Sequence, residues 1–215
     1  MKKNNLIIVI ALALIISISS CGKMYKYDGS RSYIKKFIGN EALENIEGQN
    51  FPIYYGDTPP NVEGDYIASI HTVIASTVPQ DQGSVPFDLV DFKFHFKNQN
   101  QKKLTLDFEA EEGIDIFSLI LGEEFEYVKH NAKGTYISGH DDYFTIYMKT
   151  EVKTKLFGKA LVAKVLSGRV TSQGIADYQI TNYMLEIQRE DPIMVWIPEN
   201  TGRIANDSDN LAENL

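Results

Sequence analysis

Cys21, the single cysteine of the chain, stands directly after Ser19-Ser20 and an apolar run from Leu6 to Ile18. A thiol in that position is placed for processing and modification, since a disulfide would need a second cysteine. His140-Asp141-Asp142 is the densest group of metal-ligating types. Carboxylates suit a hard cation and a histidine could join for zinc, yet neighbours on a hairpin point apart, so the group reads as a polar turn. Asp207-Ser208-Asp209-Asn210 is similar to the start of a calcium loop, but Glu213 lies too near to be its last ligand. It reads as a solvated C-terminal tail. Glu109, Glu111 and Glu112 are of the type that flanks a glycosidic bond, and a charged turn accounts for them better. His95 lies between Lys93 and Lys97 and faces solvent, whereas His71 could point inward but has no nameable partner to tune it as a base. Neither a Gly-x-Ser-x-Gly elbow nor a phosphate-cradling glycine motif is present. The expectation is a non-enzymatic protein without catalytic residues, metal or cofactor; a hydrolase is the weakest of the readings kept.

Aromatic side chains offer more. The chain has 12 Tyr, 11 Phe and Trp196, most of them in segments that read as strands. Inward aromatics either fill a core or line a ligand cavity. Tyrosine, with an apolar ring and a polar tip, suits sugar or lipid contacts. Tyr143, Tyr147, Tyr178 and Tyr183 are therefore the candidate ligand-binding residues. Tyr143 and Tyr147 share one face of a strand, and Phe144, Ile146 and Met148 the other. The apolar face is expected to turn inward, which places the tyrosines in solvent or under an N-terminal helix.

Lys2 and Lys3, the short apolar run and the small residues before Cys21 make residues 1–20 a secretory signal peptide. The run falls short of the roughly 20 residues that span a bilayer. Ile18-Ser19-Ser20-Cys21 resembles the lipobox of bacterial lipoproteins, which implies cleavage before Cys21 and its acylation. Such proteins carry several acyl chains, palmitate among them, enough for stable anchoring. Gly22 follows the cysteine, and no acid occurs before Asp28. Delivery to the outer membrane, with the periplasmic face favoured over the cell surface, is the expectation. Without residues 1–20 the chain has 19 basic and 29 acidic side chains, a formal charge of −10. A net acidic chain with no basic block excludes nucleic acid as an expected partner.

Beyond Cys21, residues 22–30 read as a tether. Tyr33, Ile34, Phe37, Ile38, Leu43 and Ile46 recur at helical spacing, with a break at Gly39-Asn40. Pro52, Pro59 and Pro60 mark an extended linker. Residues 21–62 are thus expected to be lipidated Cys, tether, short helix and linker, and 63–215 a β-barrel domain with a polar tail. From Asp65 the period becomes two. Strands are expected at 65–77, 88–96, 103–109, 125–130, 134–139, 143–153, 159–170, 178–189 and 193–196, with 114–121 ambiguous and turns at 98–101 and near Gly174. Serial hairpins with no crossover helix predict a mainly β, antiparallel, up-and-down barrel, because closure removes free edges.

Several short segments occur in order: Pro59-Pro60-Asn61-Val62-Glu63-Gly64-Asp65-Tyr66, Tyr136-Ile137-Ser138-Gly139, Phe144-Thr145-Ile146-Tyr147, Leu166-Ser167-Gly168-Arg169, Gly174-Ile175-Ala176-Asp177-Tyr178 and Pro198-Glu199-Asn200-Thr201-Gly202-Arg203-Ile204. Together they resemble a group of uncharacterised Bacteroidetes lipoproteins with lipocalin-like barrels. The resemblance spans roughly residues 59–210 and implies a fold and an address, not a reaction. Lipocalins proper have Trp in the place of Tyr66. The resulting expectation is a lipoprotein held to the membrane through lipid on Cys21, whose barrel binds a small apolar or amphipathic molecule. The alternative is an accessory subunit with an envelope protein partner.

Overall fold

The computed structural model describes residues 26–112, 128–154, 158–188 and 196–215. Cys21 and the signal segment, the ambiguous run at 114–121 and most of the strand expected at 193–196 lie outside these residues.

The helical period of the N-terminal segment becomes two helices, α1 (Arg31–Ile38) and α2 (Asn40–Gly48), parted at Gly39 with φ 99°. Ile34, Ile38, Ala42, Leu43 and Ile46 are buried. Across the break, the Arg31 guanidinium grips Glu47 at 2.8 and 2.5 Å, and the Tyr55 hydroxyl donates to the same carboxylate at 2.9 Å. The flanking stretches are not the spacers expected from their composition. Tyr27, Phe51 and Val62 are buried, Gly56 N–H donates to Gly29 O at 3.3 Å, and Thr58 N–H donates to Gly139 O at 3.2 Å. Proline kept this segment out of helices and strands, but its apolar residues still had to be buried.

Apart from one short 3-10 helix at Pro79–Asp81, most of the rest of the described chain is antiparallel sheet. Its strands are β1 (Gly64–Ala68), β2 (His71–Ser76), β3 (Phe87–Asp88), β4 (Phe92–Asn100), β5 (Thr105–Glu112), β6 (Val128–His140), β7 (Tyr143–Thr154), β8 (Gly158–Val170), β9 (Gly174–Ile187), β10 (Gly202–Asp207) and β11 (Leu211–Asn214). Neighbours run in the order β11-β1-β4-β5-β6-β7-β8-β9-β10-β2-β3, and β11 also pairs with β9. The ladder from β1 through β4 to β9 thus returns through β11 to β1.

Several boundaries differ from the sequence reading. The run at 65–77 breaks at Ser69-Ile70, where Ile70 has φ 59°, so β1 pairs with β4 and β11 while β2 pairs with β3 and β10. The first hairpin turn lies beyond Asn100 rather than at 98–101, and the described part of the run at 125–130 belongs with the run at 134–139 to one strand, β6. The polar C-terminal tail is the largest correction: it is β10 and β11 with a tight turn between them. Asp207 Oδ1 accepts the Asp209 N–H at 3.3 Å, and Asn210 takes φ 63°. Asp, Ser and Asn favour such a turn as much as a free tail.

The pairing of β8 with β9 is antiparallel, with Leu166 opposite Ile180. Gly174 opens β9 at φ 145°, and a Cβ there would lie 2.1 Å from the Ala212 carbonyl oxygen. Only glycine lets β11 approach β9 this closely.

Candidate functional site

Because side chains alternate along a strand, the pairing register sorts the sheet into two faces. One carries Phe92, Phe94 and Phe96, all buried. Rings on this face touch in series, Tyr66 with Phe94 at 5.4 Å, Phe92 with Phe94 at 5.3 Å and Phe94 with Tyr178 of β9 at 5.7 Å. Lys164 of β8 places Nζ 5.2 Å from the centre of the Phe92 ring on β4. These two strands are not neighbours in the ladder, so the phenylalanine face curls round on itself.

Successive cross-strand rows on this face differ in chemistry. One row reads Ile137, Ile146, Leu166, Ile180, Ala205 and Val73, wholly apolar. The next reads Thr135, Met148, Lys164, Asn182 and Arg203. Lys164 is only 2% exposed. Thr135 Oγ1 and Asn182 Oδ1 are buried with no hydrogen-bond partner among the described residues, an arrangement that costs about 1–3 kcal/mol per group. Arg203 forms a bidentate pair with Asp81 at 2.7 and 2.8 Å, and Ser76 Oγ donates to the same carboxylate at 2.6 Å. The Arg203 guanidinium beside Asp81 holds that carboxyl below the usual range.

His71 does point to this face. Its ring stacks on Phe92 at 5.7 Å and lies 5.9 Å from Tyr178. Opposite it in the register stands Asp207. Burial, reinforced by the Asp209 carboxyl, pushes the Asp207 carboxyl up to about 6.

The other face of β6–β9 is covered by the N-terminal segment. Tyr54 N–H donates to Thr145 Oγ1 at 2.8 Å, Ser138 Oγ donates to Tyr54 O at 2.7 Å, and Thr145 Oγ1 lies 2.8 Å from Ser167 Oγ. Tyr27, Tyr33 and Phe37 gather round Tyr136, with ring centres 4.8–5.3 Å from it. The hydrogen bond shared with Tyr33, and then burial, push the Tyr136 hydroxyl up to about 12.

Of the tyrosines selected from sequence, the fold brings no pair together on the phenylalanine face. Tyr178 alone lies there. Tyr147 and Tyr183 are buried on the covered face, where Tyr147 O–H stands 3.3 Å from Ser138 Oγ. Burial raises the Tyr147 hydroxyl well above its ordinary value. Tyr143 sits half-exposed at the β6–β7 turn, its ring 4.9 Å from Tyr54. Phe144, Ile146 and Met148 are fully buried on the phenylalanine face. His95 pairs with Asp65 on the outside of β4, and His140 with Asp141 at 3.1 Å in the turn. Among the described residues no three His, Cys, Asp or Glu side chains are grouped to hold a metal. None of their helices is long and apolar enough to cross a membrane.

Sequence reasoning missed the polar row. Lys164 falls in Val162-Ala163-Lys164-Val165-Leu166, where a lone lysine inside an apolar strand is the one available signal. Comparison with protein-family models, with curated proteins and with solved structures found no match to the chain.

Proposed function

We propose that the chain is a non-enzymatic, lipid-anchored protein of the bacterial outer membrane whose strands form a lipocalin-like barrel around one small amphipathic ligand. The observation that carries this reading is the contrast between adjacent rows of the phenylalanine face. Ile137, Ile146, Leu166 and Ile180 offer an apolar wall, and Thr135, Lys164 and Asn182 beside them offer hydrogen-bonding atoms. A mostly apolar lining with a few placed polar groups is how small-molecule sites hold and orient a ligand. The return of the ladder through β11 supports closure, and the lipobox at Cys21 supports the anchor.

The test is mass spectrometry of the native lipoprotein, extracted in detergent and kept folded. A reproducible co-purified molecule is expected, lost in Lys164→Met and retained in Tyr147→Phe, which lies on the covered face. Metabolic labelling with a fatty-acid analogue should mark the wild type and not Cys21→Ser. Label on the Cys21→Ser protein would remove the anchor from this account.

A second reading, an accessory subunit docked to an envelope protein, is favoured by the edge of the sheet. Ile70 and Ile74 are 55% and 40% exposed beside the two-residue edge strand β3. Absence of any bound mass in the wild type would make this docking account the better one.

A further inference from the structure

We propose that the outside of the β6–β7 turn is a subsite for a neutral saccharide, formed by Tyr54, His140, Tyr143, Arg169 and Asp177 and separate from the phenylalanine face. The Tyr54 and Tyr143 rings are 4.9 Å apart and inclined by 37°, and the His140 ring lies 6.4 and 6.3 Å from them. Both tyrosines are half-exposed and His140 is exposed. Arg169 is the cross-strand neighbour of Tyr143, and its Nε lies 3.3 Å from Asp177 Oδ2, with the two side chains 38% and 59% exposed. Tyr54 belongs to the same group electrostatically. Burial raises its hydroxyl, Tyr143 and Asp177 raise it further, and Arg169 opposes them.

The cluster is rigid although it lies at the surface. Both backbone polar atoms of Tyr54 are bound by side chains of the sheet, N–H by Thr145 and C=O by Ser138. Asp57 forms a parallel bridge with Gly139, and Gly139 N–H donates to Gly56 O at 3.2 Å. A Cβ on Gly139 would stand 2.2 Å from the Tyr143 carbonyl oxygen, and one on Gly56 2.6 Å from the Gly139 carbonyl oxygen. Such close approach holds the two tyrosine backbones in one relative position, and little ordering remains to be done when a ligand arrives.

The donor set selects the ligand. Ring surfaces accept the C–H faces of a pyranose, and tyrosine hydroxyls beside them reach its oxygens. Two internal pairs lie nearby, Arg169 with Asp177 and His140 with Asp141. Donors and acceptors therefore stand side by side without a surplus of positive charge, which matches hydroxyl groups. Exposed Asp142 and the formal net charge of −8 disfavour an anionic sugar.

The experiment uses the detergent-purified full lipoprotein on immobilised oligosaccharides: glucose, galactose, mannose and N-acetylglucosamine oligomers, with sialylated and uronate-containing glycans as anionic counterparts. Vesicles of phosphatidylethanolamine and phosphatidylglycerol form a separate arm. At least one neutral glycan should be retained, with affinity reduced about tenfold or more in Tyr54→Ala and in Tyr143→Ala. Tyr143→Phe should keep part of the binding, and Lys97→Ala, an exposed change on the outside of β4, should bind as the wild type does. Circular dichroism and melting temperatures establish that each variant is folded. Retention of no neutral glycan, or neutral binding that survives both alanine variants, overturns the proposal. Vesicle binding lost in those variants without glycan binding also overturns it and assigns the tyrosines to membrane contact. The ligand inside the phenylalanine face does not enter these outcomes, so either proposal can fail alone.

Discussion

β4 and β7 alternate alike along the chain and end in different surroundings. In β4, Phe92, Phe94 and Phe96 are buried, and the residues between them face water. Lys97 Nζ meets Glu109 at 3.1 Å with both side chains more than half exposed. In β7, Phe144, Ile146 and Met148 are buried on one side and Thr145 and Tyr147 on the other. The difference is the second layer. Where the N-terminal segment covers the sheet, polar side chains that would otherwise be solvated must find partners, as Thr145 does with Tyr54 and Ser167. A polar residue between apolar ones therefore reports a turn to the other face, and whether that face is wet depends on what packs there.

Four substitutions sharpen this contrast. The largest effect is expected from Phe94→Ala, which removes a ring touching Tyr66, Phe92, Phe96 and Tyr178. A loss of about 3–5 kcal/mol is expected from urea unfolding. A loss below about 1 kcal/mol would show that the phenylalanine face is not a packed interior at this point.

Asp207→Asn probes charge on that same face. Its carboxyl has a folded value of about 6 against an ordinary value of 3.8. Between those values the folded protein holds a proton that the unfolded chain has released. Stability therefore falls as pH rises through this window and levels off above about pH 6. Asn carries no such charge, so the variant should lack the fall and exceed the wild type near neutrality by ~1–3 kcal/mol. Melting temperatures from about pH 4 to 7 test this, and parallel curves for the two proteins would refute the raised carboxyl.

The smallest effects compare the covered outside of β7 with the open outside of β4. Thr145→Val strands the Tyr54 N–H under the N-terminal segment and should cost about 1–3 kcal/mol. Lys97→Ala breaks an ion pair in open solvent and should change stability by less than about 1 kcal/mol. Equal costs at the two positions would mean that the N-terminal layer does not seal the sheet.

Much of the fold was legible because local pattern and local environment agreed. Alternation at 92–96 and 143–153, turn residues at Asp141-Asp142 and before Gly174, and the helical period broken at Gly39 all required only neighbours along the chain. The candidate site was far less legible. Tyr143, Tyr147, Tyr178 and Tyr183 read alike, yet three kinds of surroundings receive them, because a tyrosine suits a core, a covered face or a surface equally well.

From the sequence alone follow the mainly β antiparallel class, the split helix, the hairpin of β8 with β9 and the apolar side of β7. Each is dictated by periodicity or by a residue with restricted backbone preference, and both act over a few residues. Tertiary structure alone decided that Pro52 to Pro60 would cover the sheet and that the polar tail would become β10 and β11. It also set Lys164, Asn182 and Arg203 in one row and carried Tyr54 to Tyr143. Those outcomes depend on cross-strand register and on contacts between residues far apart in the chain. Register is settled by the simultaneous burial of many side chains, and no single segment carries that information.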